Sequence, residues 1–186
     1  MNGLAGLATA MVLLLGSSGV APVAAASPNP SSEYAVKAGF LYQFLRFSSV
    51  AETPRESRHR DSRICIVGRD PFGAALDDAV RGKSARGRAI SVRRFARASD
   101  LEPCDLVFVT AAEMPYLPRI LERLRDTGAL TVGDSPEFVD LGGMVGFVPQ
   151  GARVRFVVNA GKAQAEGVAF SSQLLSVAQH AAGRDR

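Results

Sequence analysis

Histidine is almost missing from this chain: among 186 residues there are only His59 and His180. One falls in a polar stretch and the other near the far end. Neither has a cysteine or a carboxylate cluster at ligand spacing. A nucleophilic triad needs a placed histidine, and a structural metal site needs clustered ligands. The sequence therefore points away from both, and no catalytic residue, metal or cofactor is expected. Lysine is scarce too, with three against 19 arginines, and the net charge is only +4. A modest positive balance favours acidic partners or an anionic membrane surface and does not call for nucleic acid. Cysteine appears twice, at Cys65 and Cys104. After residue 26 no apolar run is long enough to cross a membrane.

A complete phosphate loop is also lacking. The stretch "DDAVRGKSARGRAISVRRF" (77–95) contains "GKS", but the motif needs a glycine five positions before Gly82, where the backbone curls around phosphate. Asp77 stands there instead. The segment before "GKS" also reads as helix, where the motif requires a strand and a loop. The same stretch gathers Arg81, Lys83, Arg86, Arg88, Arg93 and Arg94. Arg81 and Lys83 fall at a helix end, where cations complement the dipole. Arg86 and Arg88 fall in a solvated turn, and Arg93 alternates outward from a strand. A solvated face is the plainer reading. A surface for an anionic ligand or a partner, using Arg86, Arg88 and Arg93, is the alternative. "GRDPFG" and "DLGGMVG" hold glycines, yet neither is G-x-G-x-x-G opening a helix after a strand.

What is present begins at the first residues. Leu4 to Val20 is apolar or small, and "APVAAASPNP" follows, with Ala24 and Ala26 placed for cleavage before Ser27. That is the layout of a secretory signal peptide over residues 1–26. The n-region has no Lys or Arg, and the alternative is an uncleaved anchor. Cleavage leaves about 160 residues, enough for one domain with a real core. A secreted, periplasmic protein meets oxidising conditions, in which a cysteine pair is first read as a disulfide. Two buried free thiols are the other reading.

Residues 27–32, "SPNPSS", read as a flexible leader in which Ser31 or Ser32 caps the next helix. From Glu33 to Phe47, Val36, Phe40, Leu41, Phe44 and Phe47 recur at helical spacing. Residues 51–62 are polar and aperiodic. "RICIVG" (63–68) is a buried strand. Asp70 and Pro71 then suit a helix start, with Leu76 and Val80 inside. "AISVRRF" (89–95) and "CDLVFVT" (104–110) are the second and third strands. A helix begins near Pro115 or Tyr116 and stops at Gly128. "ALTVGD" (129–134) is the fourth strand, and "SPEFVDLGG" a loop or one helical turn. Strands near 143–148 and 153–159 form a hairpin. Ala163 to Ala182 reads as a final helix with Val168, Leu174, Leu175 and Ala178 on one side. The order predicts one α/β domain over 33–182. It is a three-layer sandwich, a mostly parallel sheet with an antiparallel hairpin at one edge, flanked by helices. In a flavodoxin-like order of 2-1-3, the strands bearing Cys65 and Cys104 are neighbours. Cysteines at matching heights there come within disulfide range.

"EYAVKAGFLYQFLRF", "ICIVGRDPFGAAL", "CDLVFV", "LTVGDSPEFVDLGGMVGFV" and "VRFVVNAGKAQAEGVAFSSQLLSVA", in this order, resemble the YfiR-like periplasmic family over nearly the whole mature chain. The resemblance implies a periplasmic repressor that holds an inner-membrane diguanylate cyclase inactive, lowers cyclic di-GMP and limits biofilm. It implies an α/β homodimer that an outer-membrane lipoprotein can sequester, with behaviour that depends on cysteine redox state. Cys65 and Cys104 match one cysteine pair of the best-understood member. Its second pair, near "GGM" and the hairpin, has no counterpart here. Related domains also serve other sensor proteins, so the partner is either a cyclase or another signalling protein. Gly142 and Gly143 either allow a tight turn into a strand or let a ligand or partner approach the backbone. Two further functions stand beside repression: a periplasmic small-ligand sensor using Arg-rich loops, and an enzyme of unknown type.

Overall fold

The computed structural model describes residues 30–50, 61–151 and 153–180. The expected signal peptide, with the expected cleavage residues Ala24, Ala26 and Ser27, lies outside the described residues, as does His59. Sixteen labelled elements follow one another. The first helix is α1 (Pro30–Phe47), followed by β1 (Ser48–Val50) and β2 (Asp61–Val67). Then come α2 (Ala74–Val80), β3 (Ser84–Ala85), β4 (Arg88–Phe95) and β5 (Leu106–Val109). α3 (Leu117–Leu124), β6 (Leu130–Gly133) and α4 (Glu137–Asp140) lead to the hairpin of β7 (Val145–Gln150) and β8 (Arg153–Val158). α5 (Ala160–Ala165), β9 (Val168–Phe170), α6 (Ser172–Val177) and β10 (Gln179–His180) complete the chain.

The main sheet runs β10-β8-β7-β6-β5-β2-β4-β3. Its centre is parallel, from β4 through β2, β5 and β6 to β7. The hairpin of β7 and β8 is antiparallel, with Phe147 opposite Phe156. This is the expected α/β sandwich, and β2 lies between β4 and β5 as the 2-1-3 order requires. The hairpin is not quite the edge, since β10 adds two residues outside β8. Central strands are buried on both faces, which is why "ICIV" and "LVFV" are continuous apolar runs.

One face packs Ile64, Ile66, Leu106, Phe108, Val132 and Val145 against α1 and α2. There Phe44 meets Phe156 edge-on at 4.8 Å between ring centroids and Phe147 at 5.8 Å. Such aromatic contacts add to area burial and seat α1 over the hairpin. The other face packs Cys65, Val67, Val107 and Val109 against Leu117, Ile120 and Leu124 of α3.

Four local expectations need correction. α1 starts at Pro30, inside the leader, because proline lacks only an N–H that a first turn leaves unbonded. Ser31 and Ser32 are thus helical and not caps. Val36 is 49% exposed and not on the buried stripe. α2 begins at Ala74: Asp70 Oδ1 accepts the Phe72 N–H at 2.8 Å, closing a turn before the helix. The last segment is not one helix. Gly167, at φ +76°, ends α5, β9 pairs with β1, and the Ser171 side chain accepts the Leu174 N–H to cap α6.

Candidate functional site

In the sheet Val67 stands beside Val109, and Val109 beside Gly133. The chain therefore leaves three parallel strands side by side, at Gly68, Thr110 and Asp134. Ligands of open α/β sheets gather beyond such carboxyl ends. The first two turns of α1 cover the Asp134 end. Tyr34 donates its hydroxyl to Asp134 Oδ2 at 2.5 Å, and Lys37 Nζ donates to Asp134 Oδ1 at 2.6 Å. Lys37 also pairs with Glu33 one turn earlier, at 2.5 Å. Only 5% of Lys37 is exposed. Its ammonium lies 4.6 Å from the centre of the Tyr34 ring and 5.6 Å from that of Phe147. Burial, the hydrogen bond to Asp134 and the charges of Asp134 and Glu33 together push the Tyr34 phenol well above its ordinary value.

Beside this cluster α1 and the hairpin enclose a groove of about 400 Å³. Val36 and Phe40 form one wall and Val148, Pro149 and Val154 the other. Glu33 and Lys37 contribute charge from the helix, and Arg153 and Arg155 from the hairpin. The exposed Val36 is thus one wall of a concave, mostly apolar surface with charge of both signs along it. A site of this size and character holds an aliphatic or aromatic group and orients it by a few polar contacts.

Sequence reasoning had not assembled this cluster. The signals were a Glu33–Lys37 pair at i,i+4 spacing and one of only three lysines inside an aromatic helix. The third was an aspartate directly after a parallel strand.

A family sequence profile described as YfiR/HmsC-like matches residues 34–179. The chain belongs to the YfiR/HmsC-like family. The match takes in both halves of the groove and the disulfide. No curated protein matches significantly. Among solved structures, the fold is similar to an ABC domain from Streptococcus pneumoniae solved in complex with L-Trp. The TM-score is 0.53 at 12% identity, over 80% of this chain and 62% of that one. A likeness at that identity concerns the fold alone.

The YfiR/HmsC-like chain joins Cys65 to Cys104 in a disulfide, with the Cα atoms 6.1 Å apart. The two are not at matching heights. Cys65 faces Val107 across the ladder, three residues beyond Cys104. Cys104 instead reaches Cys65 from the loop before β5, which is tied down on both sides. Asp105 Oδ2 accepts the Arg63 N–H at 2.7 Å, and Asp105 Oδ1 accepts from Arg88 at 2.8 Å. Arg86 pairs with Asp105 at 3.5 Å and donates to the Ser48 carbonyl at 3.2 Å. Glu102 takes Arg93 at 3.3 Å and Arg63 at 3.5 Å.

Arg86 and Arg88 are therefore not in a solvated turn: they are part-buried and engaged within the fold. Arg93, 50% exposed at its side chain, does face solvent. None of the three borders the groove. Gly142 has φ +97°, the left-handed region that favours glycine. Gly143 donates its N–H to the Phe138 carbonyl at 2.8 Å. A Cβ on either Gly133 or Gly143 would overlap the Phe138 ring. The "GGM" glycines are thus explained by a turn and by an aromatic ring packed between two glycines.

Proposed function

We propose that this chain is a periplasmic, non-catalytic regulator that binds an inner-membrane signalling enzyme, a diguanylate cyclase, and represses it. Family membership and the signal-peptide layout of residues 1–26 support the compartment in which the sensor portion of such an enzyme is exposed. The observation that carries the reading is the α1–hairpin groove in a chain of this family. Its apolar walls, including the half-exposed Val36, adjoin the charges of Lys37, Glu33, Arg153 and Arg155. Apolar centres beside charged groups are what a protein-binding patch uses for affinity and register. Sequestration by an outer-membrane lipoprotein is the matching release route.

The test is capture of the cyclase's purified periplasmic portion by the mature chain. Val36→Asp is expected to weaken capture at least tenfold with an unchanged Tm. Equal capture by Val36→Asp and the wild type would remove the groove from the account.

The groove also supports a second reading, a sensor for a small amphipathic molecule, because about 400 Å³ falls in the range of small-ligand sites. An aromatic amino acid is a suitable first probe, because the walls are apolar and charges of both signs lie along them. Saturable stabilisation by one compound, lost in Val36→Asp, would favour it.

A further inference from the structure

The hairpin wall of the groove ends in a strand that is only partly covered. β8 pairs with β7 along its whole length, but on its outer side β10 reaches only Val157 and Val158. The Asn159 N–H donates to the Met144 carbonyl, which fixes the sense of the backbone. Arg153, Arg155 and Val157 therefore turn their N–H and C=O toward β7. Val154 and Phe156 turn theirs outward, since the direction alternates along a strand. Pro149, opposite Val154, agrees: it has no N–H and fits where the β7–β8 ladder makes no bond. Among the described residues no hydrogen bond reaches the outward groups of Val154. A bare edge of this kind is a template for another strand.

The edge carries charge of one sign. By the same alternation Arg153 and Arg155 share one face of β8. Arg153 is exposed, and the half-buried Arg155 finds only the neutral Gln150, at 3.4 Å. Among the described residues no carboxylate pairs with either. Glu33, the acid of the groove wall, is already taken by Lys37. On the other face Val154 and Phe156 belong to the core under α1, and Val154 lines the groove together with Val36 and Phe40.

We propose that this edge takes an extended acidic segment of the cyclase's periplasmic portion as an added strand. Apolar residues at alternate positions of the segment enter the groove beside Val36 and Phe40. Acidic residues between them meet Arg153 and Arg155. Main-chain bonds give such a contact its affinity, and the alternating side chains give it specificity. Charge selects this occupant over a second copy of the chain. Outward residues face only outward residues, so an antiparallel two-fold pairing of β8 with itself has its axis at Val154, Arg155 or Phe156. The first sets Arg153 opposite the second copy's Arg155, and the second sets Arg155 opposite itself; like charges there destabilise a ladder. The third sets Val154 opposite the second copy's Val158, whose outer side β10 already occupies. The identity of the donor rests on the regulatory reading, while the edge and its charge do not.

The experiment gives the mature chain two probes. One is the cyclase's purified periplasmic portion. The other is a short synthetic peptide alternating glutamate and valine, beside a counterpart with lysine in place of glutamate. The glutamate peptide is expected to stabilise the chain saturably and to slow hydrogen exchange at the Val154 amide, and the lysine peptide to do neither. Val154→Pro removes the outward N–H at an edge position where proline is tolerated. It is expected to weaken binding of both the glutamate peptide and the cyclase portion at least tenfold, with an unchanged fold by circular dichroism. Arg153→Glu with Arg155→Glu leaves the backbone alone and is expected to weaken both to the same extent. No saturable binding of the glutamate peptide, equal binding of the two peptides, or a Val154 amide that stays unprotected would each overturn the proposal. Capture of the cyclase portion that neither variant weakens would overturn it while upholding the regulatory reading. Peptide binding at Val154 without capture of the cyclase portion would uphold the acidic edge site and overturn that reading.

Discussion

Lys37 Nζ lies 2.6 Å from Asp134 Oδ1, with 7% and 9% of the two side chains exposed. The pair ties the first turns of α1 to the carboxyl end of β6, beside the groove. Removing one member of a buried pair leaves the other charge without compensation, at about 3 kcal/mol. Lys37→Met alone is therefore expected to lower Tm by roughly 10 °C for a domain of this size. Lys37→Met with Asp134→Leu should regain most of that loss. Thermal unfolding of the two variants checks it, and an additive loss would deny the coupling.

The neighbouring phenol gives a pH dependence. Tyr34 has its folded-state value raised by burial first and by the Asp134 hydrogen bond second. A raised value stabilises fully below the unfolded phenol's value of about 10 and less as pH rises beyond it. Stability is expected to fall above pH 10 in the wild type and to fall less in Tyr34→Phe. Denaturant midpoints at neutral and alkaline pH measure the difference.

The disulfide closes a loop between Cys65 and Cys104, 39 residues apart in sequence. The chain-entropy model assigns about 4 kcal/mol to such a loop. Cys65→Ala with Cys104→Ser is expected to lose about that much, and the oxidised wild type should show no alkylatable thiol by mass spectrometry. Both thiols reacting in the oxidised protein would contradict the link.

Phe138 fills the space that side chains at Gly133 and Gly143 would need. Gly143→Ala is expected to lose about 3 kcal/mol, as overpacking of a close contact does, and Phe138→Leu should relieve part of it. Lost partner capture with a normal Tm would instead make Gly143 part of an interface.

The arginines divide by burial. Arg93→Ala, at an exposed pair with Glu102, should change stability by less than about 1 kcal/mol. Asp105→Ala should cost about 3 kcal/mol, because it removes the acceptor of the Arg63 N–H and the carboxylate paired with the part-buried Arg88 and Arg86. Urea unfolding of the two variants separates them.

The parallel sheet was legible because its strands carry continuous apolar runs, and the 2-1-3 order followed from the alternation of strands and helices. The final segment was not legible as two helices and two short strands. Val168, Leu174 and Leu175 satisfy a helical period, while pairing of Val168 with Val50 is a long-range event that no local pattern displays. The buried cluster beside the groove was hidden for the same reason: Lys37 and Asp134 lie 97 residues apart in sequence. The basic turn misled because a high count of arginines reads as a surface. Asp105, the group that engages Arg86 and Arg88, sits beyond the next strand. The cysteine pair was legible because β2 and β5 adjoin, but Cys104 lies in the loop before β5 and not on the strand at the height of Cys65.

The central claim is repression across the inner membrane, and cellular cyclic di-GMP measures it most directly. The comparison is between cells with the gene, cells without it, and deletion cells given either the secreted chain or one lacking residues 1–26. Deletion is expected to raise cyclic di-GMP, and only the secreted chain should restore it. An unchanged level on deletion, or restoration by the form that stays inside the cell, would contradict the account.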